Sequence, residues 1–94
     1  MYNFIFTTKF KKDFKKLQKR NMTDVNLAVA VLDILRANGV KGIPPTMTTH
    51  KLKGKYEGDW ECHIKPDLLI IWFQIESPKT IKLIRIGSYS ELFE

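Results

Sequence analysis

One cysteine, two histidines and no long apolar run constrain this 94-residue chain before any motif is read. The lone Cys62 excludes an internal disulfide framework and fits a reducing compartment. The longest apolar run, Leu68–Phe73, is far too short to span a bilayer, so no membrane association is expected. The opening Met1–Phe6 carries no basic n-region and no cleavage site, which predicts no secretory signal and a cytoplasmic location. Metal-type C-x-x-C and H-x-x-x-H spacings are missing, as are Walker or Rossmann glycine loops and a G-x-S-x-G elbow. No repeat, low-complexity tract or linker divides the chain. Residues 1–94 therefore predict a single domain built on one core.

Acidic residues are also in short supply. Ten Asp and Glu face sixteen Lys and Arg, a formal net charge of +6. The excess is clustered: Lys9, Lys11, Lys12, Lys15, Lys16, Lys19 and Arg20 crowd one short segment, opposed only by Asp13. Such a run ordinarily marks a solvated helix face. Its density in so short a chain also predicts attraction to a polyanion, whether nucleic acid, an acidic protein or an anionic surface. With 44% hydrophobic and 12% aromatic residues, the chain belongs among folded domains.

The apolar pattern gives an α+β reading. Tyr2–Thr7 is aromatic and β-branched, a strand signal. Thr8 is placed to cap a helix whose stripe is Phe10, Phe14 and Leu17. Thr23 is placed to cap a second helix with a stripe of Val25, Ala28, Val29, Leu32 and Leu35, ended by Asn38-Gly39. The short link predicts an antiparallel hairpin. Gly42 and Pro44-Pro45 predict an irregular loop over 40–49. Strands follow at about Trp60–Ile64, Leu68–Glu76 and Thr80–Ile86, with connections short enough for antiparallel pairing. The middle one is apolar on both faces, so it belongs at the centre of the sheet. The whole is an N-terminal strand and helical hairpin packed on a mostly antiparallel sheet.

The tract Glu61-Cys62-His63-Ile64-Lys65-Pro66-Asp67 carries the chemistry. Strand alternation sends Trp60, Cys62 and Ile64 to one face, the core, and Glu61, His63 and Lys65 to the other. A lone strand histidine is usually a surface residue, but carboxylates at Glu61 and Asp67 can orient and tune an imidazole. His50 lies upstream in His50-Lys51-Leu52-Lys53-Gly54. Cys62 and His63 face opposite sides and are poorly placed to share an ion, so no metal and no cofactor is expected. Cys62 reads as a small buried apolar residue. Lys51, Lys53, Lys55 and Lys65, with Arg85, surround the histidines, as transition-state stabilisation at a phosphate requires. Acid–base chemistry on an anionic polymer is the reading this supports. Two rivals use the same charge without chemistry: a nucleic-acid-binding module, and an interaction protein for an acidic partner.

Three linked motifs resemble those of the YafQ branch of RelE-like type II toxins. They are His50-x-Leu52-x-Gly54; Glu61-Cys62-His63-Ile64-x-Pro66-Asp67-x-Leu69-x-Ile71; and Arg85-x-Gly87-Ser88-x-Ser90-Glu91-Leu92-Phe93. The resemblance implies an endoribonuclease that cuts mRNA in the ribosomal A site, without metal, with the RNA 2′-hydroxyl as nucleophile. It also implies an acidic antitoxin as partner, and operator DNA bound by the toxin–antitoxin complex through the antitoxin. It assigns acid–base roles to His50, His63 and Asp67, phosphate contact to Arg85 and base contact to Phe93. Glu61 stands where a relative has aspartate. Tyr89 stands where the family often has histidine, and is the remaining candidate proton donor. Leu68 stands where some relatives have tryptophan. Lys51, Lys53 and Glu61 complete the expected RNA-contacting set.

Overall fold

The computed structural model describes residues 1–94. Its elements in order are β1 (Asn3–Phe6), α1 (Thr8–Arg20), α2 (Met22–Asn38), β2 (His50–Lys51), β3 (Trp60–Lys65), β4 (Leu68–Glu76), β5 (Lys79–Gly87) and α3 (Tyr89–Phe93). One five-stranded sheet runs in the order β1-β5-β4-β3-β2. Only the β1–β5 pair is parallel. The expected α+β architecture is therefore present, with β4 at the centre.

Both helices begin one or two residues from the expected caps. Thr7, not Thr8, caps α1, its Oγ1 accepting from the Phe10 N–H at 3.2 Å. The same hydroxyl donates to the Leu83 carbonyl at 2.7 Å, so the cap also joins the helix to β5. Asn21, not Thr23, caps α2 by accepting from the Asp24 N–H at 3.1 Å. One residue thus ends the first helix and starts the second, which folds the hairpin back sharply. The buried stripe of α2 is Val25, Ala28, Val31 and Leu35, while Val29 is 42% exposed and Leu32 half-buried. This helix is apolar around most of its circumference, so periodicity alone does not select the face that packs. It ends at Gly39, whose φ of +65° suits glycine, and where a Cβ would lie 2.8 Å from the Tyr2 ring.

The segment after α2 is more ordered than its prolines suggest. It holds two 3-10 turns, Gly39–Gly42 and Pro45–Met47, the second with proline at its start, where a missing N–H costs nothing. It then enters β2, a two-residue strand too short to leave a sequence pattern.

The main core lies between the hairpin and one sheet face. Phe10, Leu17, Ala28 and Leu35 meet Cys62, Ile70, Trp72 and Leu83 there. A smaller cluster of Tyr56, Leu69, Ile71 and Leu92 lies on the opposite, open face. It is roofed by the 3-10 turn Gly54–Tyr56 and by α3, an element the sequence pattern did not reveal. This second cover is why Leu68–Trp72 is buried on both faces.

Two register shifts shape the functional side. Between β4 and β5 the pairing steps from Ile71↔Arg85 to Trp72↔Leu83, leaving Ile84 as the extra residue. Between β3 and β4 it steps from His63↔Leu69 to Lys65↔Leu68, leaving Ile64 as the extra residue. The second shift breaks the alternation expected for Lys65. Its ammonium turns to α2 and pairs with Asp24 at 2.8 Å, instead of joining Glu61 and His63.

Candidate active site

His50, Glu61, Ile71 and Arg85 are successive cross-strand partners on β2, β3, β4 and β5. They form a row across the open face, polar at both ends and apolar in the middle. His63 lies two residues along β3 from Glu61, on the same face. The Glu61 Oε1 atom is 3.3 Å from His50 Nε2 and 3.7 Å from His63 Nε2. Glu61 itself is buried, at 4% exposure, while both imidazoles reach solvent. A carboxylate set under two imidazoles holds their rings. The His50 Nδ1 atom lies 3.3 Å from the Thr48 carbonyl, which fixes the ring from its other side.

Cys62 points away from this cluster into the main core. Burial, with help from the Glu61 charge, pushes its thiol up to about 12, so it stays protonated and inert. No three His, Cys, Asp or Glu side chains are disposed to hold a metal ion.

The remaining expected residues form a second chain of contacts around α3. Asp67, in the β3–β4 turn, accepts from the Tyr89 backbone N–H at 3.2 Å. Tyr89 is 55% exposed, and its ring lies 4.8 Å from that of Phe93. Phe93 in turn meets Tyr56 edge-on at 5.5 Å, and the Tyr56 hydroxyl donates to the Leu92 carbonyl at 3.0 Å. Lys51 stands over the Trp60 ring at 5.3 Å, at the edge of the sheet, and Lys53 is exposed.

Arg85 is more committed than a phosphate ligand would be. Its Nε and Nη2 donate to the two Asp13 oxygens at 2.7 and 3.0 Å, and its Nη1 reaches the Tyr56 hydroxyl at 3.4 Å. The hydrogen bond to Asp13 raises its pKa further above the ordinary arginine value. Asp13 also accepts from the Ile86 N–H at 3.1 Å, so one carboxylate ties α1 to β5. Asp13 was visible in the sequence as the single acid in the lysine run, but its partner lies far along the chain.

Glu91 is the other residue that sequence reasoning left without a part. With Ser88 it makes a capping box on α3. Its Oε2 also pairs with Lys16 at 3.0 Å and Arg20 at 2.8 Å on α1. The Ser88 backbone N–H, then Lys16 and Arg20, hold its carboxylate at about 2, against the upward push of burial. The short helix that presents Tyr89 and Phe93 is thus held at Asp67 and at Glu91.

A family model described as a bacterial toxin of type II toxin–antitoxin systems, YafQ, matches residues 2–94. The "mRNA interferase toxin YafQ" of Escherichia coli (strain K12) is 27% identical over 88 residues, covering 94% of this chain and 91% of that protein. The E. coli DinJ–YafQ complex contains a chain that superposes with a TM-score of 0.87 at 26% identity, with full coverage of both. A structure described as a metal-bound toxin from Helicobacter pylori superposes with a TM-score of 0.85 at 36% identity, covering 99% of this chain and all of that one. The architecture is that of the RelE-like toxins. Within that class, the chain belongs to the YafQ toxin family.

The Glu91 anchor has a pH signature. Its carboxylate is depressed from 4.5 to about 2 in the folded state. The stabilisation is therefore complete above the unfolded pKa and lost as pH falls through the folded one. Glu91→Gln is expected to cost on the order of 2 kcal/mol near neutral pH. The gap between wild type and variant should close as pH drops from about 4.5 to about 2. Denaturant unfolding of both proteins across this range checks it; a constant gap would show that the charge of Glu91 is not what holds α3.

Proposed function

We propose that this chain is an mRNA endonuclease toxin that cuts message in the ribosomal A site, in the cytoplasm, and is neutralised by an acidic antitoxin. The observation that carries this reading is the buried Glu61 facing both His50 and His63 at 3.3 and 3.7 Å. Two imidazoles joined through one carboxylate are suited to take one proton and give another.

In the proposed reaction one histidine abstracts the RNA 2′-hydroxyl proton. The 2′-oxygen attacks the neighbouring phosphorus, and the bond to the 5′-oxygen breaks. The other histidine, or the Tyr89 hydroxyl, protonates the departing oxygen. The products are a cyclic phosphate, later opened to a 3′-phosphate, and a 5′-hydroxyl. No step requires a metal. Glu61 holds the rings, and Asp67 serves by holding Tyr89 through its backbone. Exposed Lys53 is left to meet the phosphate backbone, whereas Lys51, the cross-strand partner of Trp60 and seated over its ring, lies on the opposite sheet face and leaves the expected RNA-contacting set. Arg85 adds positive charge at the far end of the row while anchored to Asp13. The Phe93 ring, backed by Tyr56, offers a surface on which a base can stack.

The antitoxin reading rests on charge and on one groove. Phe6, Phe10, Phe14 and Leu32 line a cavity of about 180 Å³ flanked by Lys11 and Lys15. An amphipathic acidic segment matches apolar floor and cationic rim together. In such a complex, operator DNA would be bound through the antitoxin.

His63→Ala should lower single-turnover cleavage of a ribosome-bound message about a hundredfold or more, with the melting transition retained. The side chain is on the open face, so its loss removes little packing. Full activity in both His63→Ala and His50→Ala would remove the cluster from catalysis. For the partner, the association rate with the antitoxin should fall steeply as ionic strength rises. A flat dependence would contradict capture by charge.

A further inference from the structure

His63 borders a second feature besides Glu61. A cavity of about 550 Å³ opens beside it, lined by Thr46, Met47, Thr48, Ile64 and Pro66. The size is within the range of small-ligand sites, about 300–1,000 Å³. Lys65 also borders it, but the Lys65 ammonium is paired with Asp24. On a strongly basic molecule this slot is therefore nearly neutral. Met47, Ile64 and Pro66 are the apolar part of its lining, and Thr46, Thr48 and His63 join Lys65 as the polar part.

The wall formed by residues 46–48 is rigid and strained. Thr48 adopts φ +50° and ψ +63°, a left-handed conformation unfavourable for a β-branched residue. Backbone hydrogen bonds from Met47 to Pro44 at 3.0 Å and from Thr48 to Pro45 at 3.1 Å hold the turn, and Met47 packs on the main core. The strained residue is also the one whose carbonyl meets His50 Nδ1 at 3.3 Å. One turn thus fixes a catalytic candidate and shapes the cavity beside the other.

We propose that this slot receives the nucleobase next to the scissile phosphate, and that Thr46 and Met47 set which base is preferred. The inference rests on the endonuclease reading. A phosphate would require free cations, and the slot has none. A flat heterocycle matches apolar walls, and a thioether makes favourable contact with an aromatic edge. Hydroxyls can donate or accept, so they read the edge of a base with graded preference rather than strict exclusion.

The test uses the full chain on ribosome-bound messages with a randomised A-site codon, mapping cleavage by sequencing the 5′-hydroxyl ends. Wild type is expected to show a base preference at one position beside the cut. Met47→Ala and Thr46→Val should flatten preference at that position alone, lowering the rate on the favoured base about tenfold. Thr46 is exposed, so its variant keeps the test valid if Met47→Ala folds poorly. If wild type cuts and both variants keep its preference at every position, the slot holds no base and the proposal is wrong. Uniform slowing with intact preference overturns it equally, because that marks a structural role for the turn. A wild type that cuts no message sinks the endonuclease reading, and the base slot with it.

Discussion

The requirement to cover β4 on both faces organises this molecule. Its stretch Leu68–Trp72 is buried throughout, in a sheet with two long helices on one side and only the five-residue α3 on the other. The hairpin of α1 and α2 seals one face. The other is sealed over part of its area by Tyr56, Leu92 and their neighbours. The uncovered remainder is the strip across β2 and β3, and there Glu61 lies under His50 and His63. A small protein thus gains a concave polar site without a second domain, because its second layer is incomplete.

Charge is spent in two ways. Arg85, Lys65, Arg20 and Lys16 look like ligands for an anionic polymer, yet each is paired with a carboxylate of its own chain. These pairs join distant segments: α1 to β5, α2 to the end of β3, and α1 to α3. Asp13, Asp24 and Glu91 are the three acids of these ties, each on a helix and largely shielded from solvent. The remaining lysines, including Lys53 near the site and Lys11 and Lys15 on α1, are left for partners. The net charge overstates how many cations an RNA meets, and the pairing map corrects it.

Much of this was legible in the sequence. Alternation and aliphatic runs located β3, β4 and β5, and the buried centre of the sheet followed from β4 alone. The helices were found, but their caps were not; the packing face of α2 was found in part, with Val25, Ala28 and Leu35 buried as expected and Val31 in place of Val29, because a helix apolar nearly all round carries little phase. Lys65 was misplaced for a different reason: one extra residue at Ile64 reverses the alternation, and nothing local announces a bulge. The His50–Glu61 contact needed β2, two residues long and silent in pattern. Glu61 therefore read as one carboxylate among several, although it is the buried residue that the two imidazoles share. The Asp13–Arg85 and Glu91–Arg20 ties span about 70 residues each, beyond any local signal.

The central claim is that paired imidazoles activate the RNA's own 2′-hydroxyl. It is tested most directly by replacing that single hydroxyl with hydrogen at the cleaved nucleotide of a ribosome-bound message. The account predicts that wild-type protein leaves the deoxy message intact at that position while cutting the matched ribose message to a cyclic phosphate and a 5′-hydroxyl. Cleavage of the deoxy message at an undiminished rate would contradict it.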